Sequence, residues 1–85
     1  MISVAQIRGA RGLLGWSQTK LASEAGISIA TIKRLEAQGT IKVSSDAREA
    51  ARRALEAAGV DFVDENGGGA GVRLRKQRRE KGLKA

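Results

Sequence analysis

One stretch of the sequence, residues 17–36, decides the fold: it reads SQTKLASEAGISIATIKRLE. Ser17 is a good N-cap residue, so it predicts that a short helix begins at the next position. The helix runs over residues 18–25, about two turns, and Gly26 ends it because glycine takes the left-handed conformation at low cost. Its apolar face is formed by small and branched side chains: Leu21, Ala22 and Ala25.

A further helix follows almost at once. Ser28 is again an N-cap residue, and it predicts a helix from Ile29 to about Gln38 with Ile32 and Leu35 turned inward. Two short helices joined by Gly-Ile-Ser have the spacing of a helix-turn-helix. In this motif a small side chain is expected where the helices pass closest, and Ala22 stands there.

Helices are also predicted on either side of this motif. The first is capped by Ser3 and runs to about Leu14, with Arg8 and Arg11 on its outward side. The fourth covers residues 46–58 and follows two candidate N-cap serines, at positions 44 and 45. The apolar stripe of the fourth helix is rich in alanine and contains Ala47, Ala50, Ala51, Ala54, Leu55 and Ala58.

The pattern changes to strict alternation near the end of the chain. Residues 60–63 and 72–75 alternate apolar and polar side chains, which is typical of short strands, and the glycine-rich residues 64–71 form the loop between them. If the two strands pair, Asp61 shares a face with an arginine of the second strand. The alternative is that a strand pairs with the edge of a second subunit. We therefore predict a mainly α, four-helix domain with a small β-hairpin over residues 1–75, followed by a flexible basic tail, residues 76–85.

Composition limits the chemistry of this chain. Hydrophobic residues make up 41% of the sequence, which has only two aromatic side chains. Trp16 is expected in the core, and Phe62 in the core or at a dimer interface. There is neither Cys nor His, which excludes disulfides, thiolate metal sites and the usual general base. Because the carboxylates are expected on exposed faces and loops, we predict no enzyme activity, no metal and no cofactor. No apolar run reaches the roughly 20 residues of a membrane span, and a soluble, cytoplasmic protein is expected.

The net charge of +7 is unevenly distributed. Residues 1–39 carry five basic and two acidic side chains, a net +3, whereas residues 40–72 have a net charge of −2. Residues 73–85 have a net charge of +6, so most of the excess lies near the tail. The positive charge within residues 1–39 coincides with the helix-turn-helix and indicates a nucleic-acid partner.

Residues 17–36 resemble the helix-turn-helix of the phage repressor and Cro type, the XRE family. The preceding residues 7–13 are similar to the first helix of that family. The resemblance rests on several positions that agree together: Gln18, Leu21, Ala22, Gly26, Ile27, Ile32, Leu35 and Glu36.

The resemblance implies that the third helix lies in the major groove of double-stranded DNA and that the second crosses above it. Gln18 matches a position that hydrogen-bonds a phosphate. Ile29 and Ala30 have no polar group for a base edge and are expected to touch thymine methyl groups, which leaves Arg34 to contact a guanine or a phosphate. The full set of expected DNA contacts is Gln18, Thr19, Ser28, Ile29, Ala30, Thr31, Lys33 and Arg34.

Three functions follow as hypotheses. The first is a dimeric, sequence-specific repressor or autoregulator, with its dimer surface in residues 41–75. The second is a DNA-binding antitoxin or adaptor module that acts through a protein partner. The third is a nonspecific binder that depends on residues 76–85, and deletion of that tail distinguishes it from the first.

Overall fold

The computed structural model describes residues 2–37, 45–64 and 67–75. Four helices are followed by an antiparallel hairpin, which confirms the predicted mainly α fold class. The elements are α1 (Val4–Leu14), α2 (Gln18–Ala25), α3 (Ile29–Glu36), α4 (Ser45–Ala57), β1 (Val60–Val63) and β2 (Gly71–Leu74). The expected tail, residues 76–85, lies outside the described residues, and the division into a domain and a tail stays a prediction.

Serine caps and glycine stops set the ends of the first helices, as predicted. The hydroxyl oxygens of Ser3, Ser17 and Ser28 each accept the backbone amide three residues later at 2.9–3.1 Å. These bonds satisfy amides that a helix start would otherwise leave without partners. Gly15 and Gly26 follow α1 and α2 with φ of 68° and 71°. Both are in the left-handed region, where a side chain would add strain.

Three predicted helix boundaries are corrected by the structure. α3 ends at Glu36 and not near Gln38, because Ala37 has an extended backbone with ψ of 144° that stops the helical hydrogen bonds. Gln38 itself lies outside the described residues. α4 begins and ends one residue earlier than predicted, so Ser45 is the first residue of the helix and not its cap. The other candidate cap, Ser44, is outside the described residues.

The core lies between the four helices and the first strand. α1, α2, α3, α4 and β1 each contribute at least one fully buried side chain, and burial of each such side chain stabilises the fold by about 1.5–3 kcal/mol. Trp16 and Phe62 pack against this core partly buried. The fully buried large side chains are Ile7, Leu21, Ile32, Leu35, Leu55 and Val60.

The hairpin pairs Val60 with Leu74 and Val63 with Gly71. Asp61 lies opposite Arg73, and its carboxylate also accepts the Nε–H of Arg75 at 2.9 Å. The expectation that Asp61 shares a face with an arginine of the second strand is therefore confirmed for both arginines.

α1 holds β2 through a buried amide and a glycine. The Nε2 of Gln6 donates to the carbonyl oxygens of Val63 at 3.3 Å and Gly71 at 3.0 Å, where the hairpin opens into its loop. One turn further along α1, a Cβ built on Gly9 would lie 3.3 Å from Cγ2 of Val72. The hairpin thus packs closely on α1 because position 9 has no side chain.

This close packing predicts that replacement by leucine has opposite effects on stability at Gly9 and at Gly12 of α1. Gly9→Leu must displace Val72, and we expect it to lower the free energy of unfolding by about 1–3 kcal/mol. Gly12→Leu, the matched control, meets nothing within 4 Å and gains helix propensity, so we expect it to raise the free energy of unfolding by about 0.5–1 kcal/mol. Urea unfolding followed by circular dichroism measures both. Equal stability of the two variants would contradict the close packing of β2 on α1.

Candidate nucleic-acid interface

The turn between α2 and α3 fixes the angle at which α3 meets the surface. After the left-handed Gly26, the amide of Ile27 donates to the carbonyl of Ala22 at 3.1 Å. Ala22 is buried, which agrees with the small side chain expected where the helices approach. The side chains that α3 presents outward are therefore held on a rigid support.

α3 has one buried face and one exposed face. Ile32 and Leu35 are fully buried. The outward-facing positions are Ile29, Ala30, Lys33 and Arg34, all of them exposed. Ile29 is a large apolar side chain that is 38% exposed on this face.

The polar groups of Ser28 and Thr31 form hydrogen bonds with each other. The Ser28 hydroxyl accepts the Thr31 amide at 3.1 Å and lies 2.9 Å from the Thr31 hydroxyl oxygen. Ser28 is the N-cap of α3, so its hydroxyl oxygen already accepts a hydrogen bond from the helix start. The structure places both residues at the start of α3 next to the exposed Ile29 and Ala30.

A partly buried ion pair joins α1 to the end of α3. Arg11 donates from Nε and Nη2 to the two carboxylate oxygens of Glu36, at 2.8 Å each, and from Nη1 to the carbonyl of Trp16 at 3.0 Å. The Glu36 side chain is only 4% exposed. The sequence-based expectations that Arg11 points outward and that all carboxylates are exposed are both wrong. A residue-by-residue helix pattern cannot show that two charges 25 positions apart meet.

The hydrogen bond to Glu36 raises the pKa of Arg11 above its usual range, although partial burial opposes this shift. The guanidinium is therefore charged at neutral pH. Its positive charge neutralises Glu36, so the carboxylate does not make this surface negative. This compensation matters because a DNA phosphate would be repelled by an uncompensated Glu36.

Gln18 joins the same network from α2. Its Nε2 donates to the Glu36 carboxylate at 3.2 Å, which fixes the direction of the amide at the first position of the helix. Thr19 is the next residue and is exposed. The start of α2 therefore offers Gln18, Thr19 and the amides of a helix N-terminus, a combination that suits an anion.

The ion pair forms the floor of an open cleft of about 380 Å³ between α1, α2 and α3. Arg8 contributes to this cleft from α1 and was not among the predicted site residues. It lies three positions before Arg11 and so on the same helix face, which is the signal that could have identified it. The lining residues are Arg8, Arg11, Gln18, Lys33, Glu36 and Ala37.

The cleft and the exposed face of α3 have a positive charge. Within residues 2–37, no carboxylate lies within ion-pair distance of Arg8, Lys33 or Arg34. Lys20 is different, because it pairs with Glu24 at 3.2 Å and lies 5.7 Å from the centre of the Trp16 ring. Three cations of this surface are thus available to a polyanion.

In the three described segments of the chain, no group of acidic, cysteine or histidine side chains has the arrangement of a metal site. Among the same residues, no helix has the length and apolar character needed to cross a membrane.

Comparison with known proteins identifies one family. Residues 7–45 match a family model described as helix-turn-helix. This span begins within α1, covers α2 and α3, and ends at the first residue of α4. No curated protein matches the chain.

The buried ion pair gives a testable consequence for stability. Arg11→Met leaves the Glu36 carboxylate buried without its counter-charge, and we expect the free energy of unfolding to fall by about 3 kcal/mol. The double variant Arg11→Met with Glu36→Leu removes both charges and is expected to recover most of this loss. Chemical unfolding of the wild type, both single variants and the double variant gives the coupling energy. Additive losses would show that the two side chains do not act as a pair.

Proposed function

Residues 7–45 are a helix-turn-helix of the phage repressor and Cro type, the XRE family of DNA-binding transcription regulators, and from this premise we propose that the chain reads specific double-stranded DNA sequences. The observation that carries the proposal is the exposed face of α3, where an apolar pair precedes two cations. α3 enters the major groove in this proposal, and α2 lies above it against the backbone.

Each exposed position of α3 has a chemical role. Arg34 donates two hydrogen bonds to the O6 and N7 of a guanine, the commonest specific contact of an arginine. Ile29 and Ala30 contact thymine methyl groups, for which their apolar side chains are suited. Ser28 and Thr31 approach the backbone or a base edge beside them.

The phosphate contacts come from the cleft and from the start of α2. Lys33, Arg8 and Gln18 line the same cleft from three different helices. We assign one backbone phosphate to this cleft, bound by Lys33, Arg8 and the amide of Gln18, with Thr19 beside it. Phosphate contacts set the position of the protein on DNA and carry no sequence information themselves.

One helix-turn-helix reads one half-site, and a two-fold dimer reads two half-sites about 34 Å apart. We therefore propose a homodimer that binds an inverted repeat. The resemblance to the phage repressor and Cro type supports a repressor or autoregulator that acts in the cytoplasm and is associated with the nucleoid when bound to DNA.

In vitro selection from a random duplex library at about 150 mM salt tests this function, because nonspecific binding is weakened at that ionic strength. We expect an inverted repeat to be enriched. Binding without any enriched motif, lost entirely when residues 76–85 are deleted, would overturn the proposal in favour of a nonspecific binder. Enrichment only in the presence of a protein partner would favour the antitoxin or adaptor hypothesis.

Arg34 is expected to determine specificity at one base pair. Arg34→Ala should weaken binding to the selected site by about 10- to 100-fold and relax the preference at that base pair, since a bidentate contact discriminates by about 1–3 kcal/mol. Arg53→Ala is the control, because Arg53 is an exposed arginine on α4. Binding assays on the selected site and on each single-base variant measure both effects. An unchanged base preference would assign Arg34 to a phosphate.

Substitution of Lys33 is expected to change the salt dependence of DNA binding and not its sequence specificity. Lys33→Ala removes one phosphate contact, so the slope of log K against log salt should become shallower by about 0.9. The losses on specific and nonspecific duplexes should be equal. Fluorescence anisotropy titrations at several salt concentrations measure the slope, again with Arg53→Ala as the control. A loss confined to the selected sequence would instead place Lys33 at a base edge.

A further inference from the structure

Two hydroxyl groups lie next to each other at the start of α3. The hydroxyl oxygen of Ser28 accepts the backbone N–H of Thr31 at 3.1 Å, and it lies 2.9 Å from the hydroxyl oxygen of Thr31. The hydrogen bond between the two hydroxyl groups is exposed. These two groups, called the hydroxyl pair below, are therefore accessible to a ligand of α3.

The hydroxyl pair has only one proton to give to a ligand. A hydroxyl group has one proton and two lone pairs. Because the two oxygens are hydrogen-bonded to each other, one of their two protons lies between them, and either oxygen can supply it. The other proton stays free. The pair therefore donates a single hydrogen bond to a ligand, whichever way the internal bond runs.

The pair also keeps lone pairs for a ligand. One lone pair accepts the amide of Thr31 and one accepts the shared proton, and the others stay free. When Thr31 donates to Ser28, Ser28 has the free proton and Thr31 the free lone pairs. When Ser28 donates to Thr31, Thr31 has the free proton and Ser28 a free lone pair. In both arrangements the two neighbouring oxygens offer one donor and one acceptor side by side.

This combination matches one base edge of the major groove. Adenine presents an acceptor, N7, beside a donor, the N6 amino group. Guanine presents two acceptors, N7 and O6, and needs two protons from its ligand. The hydroxyl pair has one, because the other is held between its oxygens. Cytosine, with its amino group, and thymine, with its O4, each use only half of the pair.

A phosphate fits the pair less well than adenine does. The oxygens of a phosphate accept hydrogen bonds, so a phosphate would take the single free proton and face the lone pairs of the neighbouring oxygen. Cations suit a phosphate better, and α3 carries its two cations, Lys33 and Arg34, in its last turn. The chemistry of the pair therefore favours a base edge over the backbone of DNA.

The side chains beside the pair fit the same base pair. Ile29 and Ala30 follow Ser28 in the first turn of α3, and both are exposed. Apolar side chains contact the methyl group of thymine, which lies in the major groove on the partner of adenine. The first turn of α3 thus offers a ligand for the adenine edge and a ligand for the methyl group, the two features of an A·T base pair.

We propose that Ser28 and Thr31 act together as one reading unit for adenine, and that Ile29 contacts the methyl group of the thymine paired with it. The inference rests on the proposed function, in which α3 enters the major groove. It assigns an A·T base pair to the first turn of α3 and leaves a guanine to Arg34 in the last turn. Ser28 then has two roles, since one of its lone pairs caps the helix and the rest of its hydroxyl group takes part in reading.

Thr31→Val tests the reading unit, because valine keeps the branched shape and the backbone N–H that caps onto Ser28 but has no hydroxyl group. We expect the preference for adenine over guanine at one position of the selected site to fall by about tenfold, since the contact is no longer bidentate. Thr31→Ser is the matched control, which keeps the hydroxyl group and should keep the preference. Fluorescence anisotropy on the selected duplex, with each of the four base pairs at that position, measures the ratios, and circular dichroism checks that both variants are folded.

Three results of this comparison would overturn the inference. An unchanged base preference in Thr31→Val would show that the hydroxyl group reads no base. Equal weakening on all four duplexes would assign it to a phosphate. Loss of the preference in both variants would assign the effect to the methyl group of Thr31.

Modified bases locate the contact on the DNA. Deaza-adenine has a C–H group in place of N7, and purine lacks the N6 amino group, so each removes one of the two groups that the pair is proposed to bind. Placed at the same position, each analogue should weaken binding of the wild type by about two- to tenfold, the effect of one neutral hydrogen bond. The loss should be markedly smaller for Thr31→Val, because contacts that depend on each other are not additive. Equal losses for both proteins would contradict a direct contact.

Ser28→Asp should change the base preference and not abolish it. Aspartate is as good an N-cap as serine, so α3 is expected to keep its start. Its carboxylate has no proton and accepts the proton of Thr31, so the unit offers acceptors alone. We expect the preferred base to change from adenine to cytosine, whose amino group binds a carboxylate. In vitro selection with this variant measures the change, and a retained preference for adenine would overturn the inference.

The inference and the proposed function fail in different ways. An enriched motif in which no adenine depends on the hydroxyl group of Thr31 contradicts the inference, whereas the DNA-binding function stands. If no motif is enriched, the proposed function fails, and the inference that rests on it fails with it. An adenine whose selection depends on that hydroxyl group supports both.

Discussion

The bidentate ion pair between Arg11 and Glu36 ties together the helices that form the proposed DNA-facing surface. Arg11 belongs to α1 and Glu36 is the last residue of α3, and Gln18 joins from α2 by its own hydrogen bond to the same carboxylate. Two charges buried without each other would each cost several kcal/mol, so this geometry is strongly coupled to the packing of all three helices. The pair therefore influences how the Gln18 amide points and what charge the cleft has.

α1 connects this surface to the hairpin through its two faces. Arg8 and Arg11 line the cleft on one face. On another face Gln6 and Gly9 hold the hairpin, through two hydrogen bonds to its carbonyl groups and a close approach to β2. One helix thus supports both the hairpin and the cleft, so the position of each depends on the packing of α1.

Local features of this fold could be predicted from the sequence, whereas contacts between distant residues could not. Ser17, Gly26 and Ser28 act on neighbouring backbone groups, so their residue types suffice to place the turn between α2 and α3. The Arg11–Glu36 pair joins residues 25 positions apart, and Gln6 reaches the hairpin across 57 and 65 positions. A periodic pattern assigns a polar residue to the outside by default, which explains why the expectation for Arg11 was wrong. The end of α3 was missed because Ala37, a strong helix former, adopts an extended backbone that its residue type does not indicate.

The chemistry of α3 explains why a second copy matters to the proposed function. Ile29 and Ala30 cannot hydrogen-bond a base, and Arg34 is the one long donor that we assign to a base edge. One such contact discriminates by about 1–3 kcal/mol, whereas specific sites are typically bound about 4–10 kcal/mol more tightly than random DNA. A two-fold dimer repeats every base contact, and a rigid link between the copies makes the second half-site an intramolecular contact. A reading helix with so few polar groups therefore depends on symmetry for the specificity proposed here.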